Sequence, residues 1–95
     1  MIKALVACRA GVGSSLMLKI KLNEVISEHS LPVTIEHSSL DGVPSFDGPI
    51  IIALSDVAQD LQNEGIKKEI IGITNIMDKN EIYSKLSEAV SKVGA

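Results

Sequence analysis

The chain contains no tryptophan, and its aromatic side chains are limited to Phe46 and Tyr83. Any core must therefore be aliphatic, built from Ile, Val, Leu and Ala. The 45% apolar content fits a folded chain and not a disordered one. Cys8 is the single cysteine, so no intramolecular disulfide can form and a secreted disulfide scaffold has no support. Basic runs are missing and the net charge is −3. With no stacking aromatics either, nucleic-acid binding is not expected. No apolar run approaches the roughly 20 residues that span a bilayer. The apolar start, Met1 to Ala7, is short and runs into a glycine-rich loop, so it reads as a strand and not as a signal peptide. At 95 residues the chain reads as one domain, residues 1–95.

What is present is an alternation of strand and helix signals. Ile2 to Ala7 is an aliphatic run with little alternation, as in a strand covered on both faces. Leu16 to Glu28 carries Leu18, Leu22, Val25 and Ile26 at helical spacing. Pro32 breaks that helix, and Val33 to His37 alternates as a second strand. Turn residues fill Ser38 to Pro49, and Ile50 to Leu54 is a short buried strand. Asp56 is suited to cap a helix over about Val57 to Glu64, with Gly65 ending it. Glu69 to Ile73 reads as the fourth strand. Asp78 and Glu81 have the spacing of a capping box that opens a last helix, to about Val93.

This order predicts an α/β fold: a four-stranded parallel sheet, order 2-1-3-4, flanked by three helices in a Rossmann-like three-layer arrangement. Ligands bind such sheets beyond the carboxyl ends of the strands, where the order reverses. That point lies between the first and third strands, and places the loop after Cys8 and the segment Ser55-Asp56 together.

Cys8 ends a buried strand and precedes Arg9, Ala10, Gly11, Val12, Gly13, Ser14 and Ser15, with a helix starting near Ser14. A helix start presents unpaired N–H groups and partial positive charge. Gly11 and Gly13 allow close approach of a ligand, and loop amides of this kind form a concave anion site. Ser14 and Ser15 add hydroxyl donors and Arg9 a charge. The same surroundings favour the nucleophilic thiolate of Cys8. The pattern points to a reactive sulfur inside a phosphate cradle, with no cofactor or metal called for. A Walker loop is excluded because Ser14 stands where its lysine belongs, and a dinucleotide fingerprint because Leu16 stands where its third glycine belongs.

The stretch VACRAGVGSSLMLKIK resembles the active-site region of the IIB components of the phosphoenolpyruvate-dependent sugar phosphotransferase system, most narrowly the ascorbate-type family within the lactose/ascorbate/galactitol IIB-like group. The likeness continues through IIIALSDVAQDL and IIGITNIMD. It implies a protein-phosphocysteine–sugar phosphotransferase, cytoplasmic and peripherally associated with a membrane transporter. A phosphorylated IIA protein would donate to Cys8. A sugar or ascorbate-like substrate presented by the IIC membrane transporter would then receive the group. Arg9 departs from the small residue expected there. Two other functions fit the same loop. A regulatory IIB-like module would use the phosphorylation state as a signal. A cysteine-based phosphatase would need arginine at position 14, where this chain has serine.

Outside the loop, His29 and His37 read as ordinary histidines at a helix end and a strand end, away from the sheet edge that holds Cys8. Met17 is a candidate for an apolar docking rim. Lys19, Lys21, Lys67, Lys68 and Lys79 read as solvated charges.

Overall fold

Four segments form the sheet; the two central ones are largely buried on both faces, while the edge segment from Val33 exposes Thr34, Glu36 and His37. In the computed structural model, which describes residues 2–8, 14–39, 42–66 and 68–94, the four segments are β1 (Ile2–Cys8), β2 (Val33–Ser39), β3 (Ile50–Leu54) and β4 (Glu69–Ile73). The helices are α1 (Ser14–His29), α2 (Ser55–Asn63) and α3 (Lys79–Gly94). The sheet is parallel throughout with order β2-β1-β3-β4, as the alternation of elements predicts.

Strand parity divides the core in two. Ala4, Val6, Ile50, Ile52, Ile71 and Ile73 meet Leu18, Leu22 and Val25 of α1 and Ile82, Leu86 and Ala89 of α3. Leu5, Ala7, Ile51 and Ala53 meet Val57, Ala58 and Leu61 of α2 on the other face. Central strands covered this way show no polar alternation; Ile50, Ile51 and Ile52 are all fully buried. Truncating Ile52 to Ala would cost about 2–5 kcal/mol, since close-packed aliphatic layers relax little around a cavity. α2 lies tight against β4: a Cβ on Gly72 would come within 3.0 Å of the Ala58 Cβ and 3.3 Å of the Ser55 Cα.

The helix ends account for the boundaries. Gly65 takes a left-handed φ of 79° after α2. Its N–H donates to the Gln62 carbonyl and that of Ile66 to the Leu61 carbonyl, the paired bonds of a Schellman closure. After α1 the left-handed position is taken by Ser30, φ 53°, while Leu31 N–H donates to the Ile26 carbonyl at 3.1 Å. α1 begins at Ser14, where the reading of the Cys8 loop places the helix start, and β2 runs two residues past the predicted His37. The two added residues, Ser38 and Ser39, are polar and are carried by backbone pairing with β1, to which apolar periodicity is blind.

Two capping expectations need correction. α2 begins at Ser55 directly after β3, with Leu54 in the N-cap position and no side-chain cap bond. Asp56 is therefore inside the first turn, where its charge faces the positive end of the helix dipole. The Asp78–Glu81 capping box is half formed. Asp78 accepts the N–H groups of Asn80 at 3.0 Å and Glu81 at 3.2 Å, capping α3. Glu81 does not return the bond: Asp78 N–H donates to the Asn75 carbonyl. Three of the lysines read as solvated are also engaged. Lys68 donates to the Gly48 carbonyl at 2.8 Å, Lys79 pairs with Glu28 at 2.9 Å, and Lys21 with Glu24 at 3.5 Å. Lys67 lies outside the described residues.

Candidate functional site

β1 ends at Cys8 and α1 begins at Ser14. Cys8 is the register partner of Ser39, the last residue of β2. On the other side of β1, the register Ala4↔Ile50, Leu5↔Ile51, Val6↔Ile52 brings Leu54 level with Cys8 two residues further on. α2 starts at the next residue, Ser55. Thus the starts of two helices flank the carboxyl end of β1, one on each face of the sheet, at the reversal of strand order. That is the crevice where open α/β sheets take ligands. The Ser55-Asp56 segment stands at this edge, as the sequence reading has it. Of the loop candidates, Ser14 and Ser15 form the first turn of α1. Arg9, Ala10, Gly11, Val12 and Gly13 lie outside the described residues.

The sequence reading missed the β4 end of this edge. Glu81 accepts the N–H groups of Thr74 and Asn75, both at 2.9 Å, and a bond from Lys85 Nζ at 2.7 Å. Lys85 also donates to the Gly72 carbonyl. The Lys85 ammonium, then the two amides, hold the Glu81 carboxyl down to about 2, well below its usual range. A carboxylate of the protein itself therefore satisfies the amides that follow β4. The sequence signal was the i,i+4 spacing of Glu81 and Lys85.

α1 carries apolar side chains on two faces. Leu18, Leu22 and Val25 are buried, whereas Leu16, Met17 and Ile20 are 57%, 40% and 48% exposed. This exposed group lies within two turns of the helix start, so Met17 belongs to an apolar surface next to the site and not to the core.

The two histidines differ. His29 stacks on Tyr83 of α3, with ring centroids 3.8 Å apart and planes at 19°, a packing role. His37 pairs in register with Val6, one pleat from Cys8, because β2 runs on to Ser39. A groove of about 320 Å³ runs along β4 between α2 and α3, lined by Glu69, Gly72, Lys85 and Lys92 among others. It follows the opposite side of the sheet from β2 and takes no residue from the Cys8 end. Among the described residues, no helix is long and apolar enough to cross a membrane.

Residues 3–88 match the family described as "PTS system, Lactose/Cellobiose specific IIB subunit". The chain belongs to this IIB family of the sugar phosphotransferase system. Members are phosphotransferases that work with IIA and IIC components, so phosphoryl transfer in sugar uptake is the family's chemistry. Among curated relatives, the ascorbate-specific EIIB component of Mycoplasma pneumoniae is 29% identical over 85 residues, spanning 88% of this chain and 90% of that one. The ascorbate-specific EIIB component of Escherichia coli O157:H7 is 24% identical over 93 residues, spanning 96% and 91%. The mannitol-specific EIICBA component of Vibrio cholerae is 30% identical over 82 residues, 86% of this chain but 12% of that longer protein. The lactose-specific IIB domain of Streptococcus pneumoniae shares the fold, with a TM-score of 0.57 at 20% identity over 97% of this chain and 93% of that one. The sheet order and three-helix arrangement of the IIB fold are thus those expected from the sequence.

Proposed function

We propose that residues 1–95 act as a single IIB domain whose phosphoryl group is carried on Cys8, with the segment Arg9–Ser15 as its phosphate cradle. One observation supports this most directly. In a chain of the IIB family, the sole cysteine ends the central strand β1 at the reversal of strand order, six residues ahead of the start of α1. A helix start favours both a thiolate and the phosphoryl oxygens that follow it.

The transfer runs in two balanced steps. The Cys8 thiolate attacks phosphorus on a phosphohistidine of the IIA partner. The S–P bond forms as the N–P bond breaks, and its electron pair stays on the imidazole nitrogen. A sugar hydroxyl held by the IIC transporter then attacks the same phosphorus. The O–P bond forms, the S–P pair returns to sulfur, and the hydroxyl proton is released to solvent. Both steps depend on alignment and on stabilised charge, which a fixed cradle supplies. The ascorbate-specific names of the relatives make ascorbate or a similar acidic sugar the first substrate to try. The domain works in the cytoplasm against the inner face of its transporter. Exposed Leu16, Met17 and Ile20 offer an apolar docking surface beside the cradle.

The test is direct. With phosphoenolpyruvate, the general phosphotransferase proteins and a cognate IIA, the protein should gain one phosphoryl group, and Cys8→Ser none. Comparable labelling of the Cys8→Ser protein would overturn the assignment. Ser14 in place of arginine predicts negligible hydrolysis of aryl phosphates.

A further inference from the structure

The sheet has two outer strands, β2 and β4, and their edges are protected differently. β2 exposes Thr34, Glu36 and His37 along its length. Polar and charged side chains of this kind blunt an edge against strand pairing. β4 has no charged residue after Glu69: Ile70, Ile71, Gly72 and Ile73 follow, without a proline. A short apolar strand of this composition, left open, is a template for another chain.

The hydrogen bonds of β4 define which of its backbone groups face outward. Glu69 N–H donates to the Pro49 carbonyl at 3.0 Å, and β4 pairs with β3 from Ile50↔Glu69 to Leu54↔Ile73. Backbone groups alternate between the two sides of a strand, so Glu69, Ile71 and Ile73 serve β3 while Ile70 and Gly72 face away from the sheet. The Gly72 carbonyl is the one that accepts a bond from Lys85 Nζ of α3. Glu81 accepts from the same ammonium at 2.7 Å and so holds it at this end of the helix. Lys85 also lines the groove of about 320 Å³ that runs along the strand between α2 and α3.

We propose that Lys85 guards this edge: by holding the Gly72 carbonyl, its ammonium keeps β4 from pairing with β4 of a second copy of this chain. Symmetry and charge single out a second copy as the strand to be kept off. An antiparallel pair centred on Ile71 sets Ile70 of one copy against Gly72 of the other, so the outward-facing residues exchange N–H and C=O bonds. Over β4, α3 carries Glu81, Lys85, Glu88 and Lys92 in one row. Lys85 bonds at the level of Gly72 and Lys92 pairs at the level of Glu69, at 3.5 Å. The axis through Ile71 therefore falls between Lys85 and Glu88. Turned about that axis, the row meets itself with opposed signs, Lys85 to Glu88 and Glu81 to Lys92. Such screened surface pairs are weak. An occupied acceptor, by contrast, stops the ladder at the residue where it must form. Removal of the lysine therefore favours pairing, although one of these charges goes with it.

Sedimentation equilibrium, with reductant present so that Cys8 forms no disulfide, measures self-association of the wild type, Lys85→Met and Lys92→Met. Both variants remove one positive charge from the groove, and only the first frees the Gly72 carbonyl. Lys85→Met should dimerise with a Kd at least about tenfold below that of the wild type, and Lys92→Met should match the wild type. In the Lys85→Met dimer the amide protons of Ile70 and Gly72 should exchange about tenfold more slowly than in dilute solution. Lys85→Arg keeps a cationic donor for the carbonyl and should stay with the wild type. Equal association of Lys85→Met and wild type would overturn the proposal. So would an equal gain in Lys92→Met, or association that leaves the exchange of Ile70 and Gly72 unchanged. Lys85→Ala carries the same comparison if circular dichroism shows Lys85→Met to be unfolded. None of these outcomes depends on Cys8 being the phosphoryl carrier.

Discussion

Glu81 of α3 reaches back across the preceding turn to accept the N–H of Asn75 at 2.9 Å. The bond ties the start of α3 to the carboxyl end of β4, and Lys85 closes the arrangement from the next turn of the helix.

That tie sets a pH dependence. The folded-state carboxyl of Glu81 lies at about 2, below its unfolded value near 4.5. Its contribution is therefore complete above pH 5 and is lost as pH falls from about 4.5 towards 2. Glu81→Gln should cost about 1–2 kcal/mol at pH 7, the range for hydrogen bonds to a charged group after solvent screening. Chemical denaturation at pH 7 and at pH 2.5 checks this, and the gap between variant and wild type should shrink at the lower pH.

Ser30 closes α1 in a left-handed conformation that a side chain disfavours. Ser30→Gly should raise stability by about 0.5–1 kcal/mol, because relief of that strain outweighs the extra backbone entropy of glycine in the unfolded chain. Thermal unfolding would show a higher midpoint, with phosphoryl transfer unchanged.

The exposed group Leu16, Met17 and Ile20 separates docking from folding. Replacing Leu16 and Ile20 together by Ser should leave the unfolding midpoint within a few degrees, since surface substitutions stay within about 0.5 kcal/mol each. Transfer from phosphorylated IIA should fall several-fold. A carrier must meet its two partners in turn at one edge. A IIC fragment added in excess should therefore slow transfer from IIA, whereas simultaneous saturation by both partners would rule out the shared surface.

An anion cradle should fill before any chemistry occurs. Titration with inorganic phosphate should shift the amide resonances of Arg9 to Ser15 first, with those of Ser55 and Asp56 as the nearest neighbours across the crevice. Shifts concentrated along the β4 groove instead would place the site elsewhere.

By itself the sequence determined the elements, their parallel pairing and the place of Cys8 at the carboxyl end of the first strand. Each of these follows from local patterns: aliphatic runs too continuous for one-sided strands, a helical period over Leu18, Leu22 and Val25, and glycines and serines directly after Cys8. The strand order followed from the right-handedness of crossovers, which holds for any such alternation. Tertiary structure alone decided what Glu81, Asp56 and Met17 meet and where His37 sits. Asp78-x-x-Glu81 has the spacing of a capping box, but the amides of Thr74 and Asn75 came within reach of the carboxylate and took it. Asp56 lost the capping position because α2 starts directly where β3 stops. Met17 has the hydrophobicity of a core residue, and only the docking of α1 by its Leu18–Leu22–Val25 face turned it outward. His37 gained its place from register, a relation between strands about 30 residues apart in the chain. Side-chain periodicity carries the face a residue occupies, not the neighbour it will meet, and that neighbour is set only when the sheet closes.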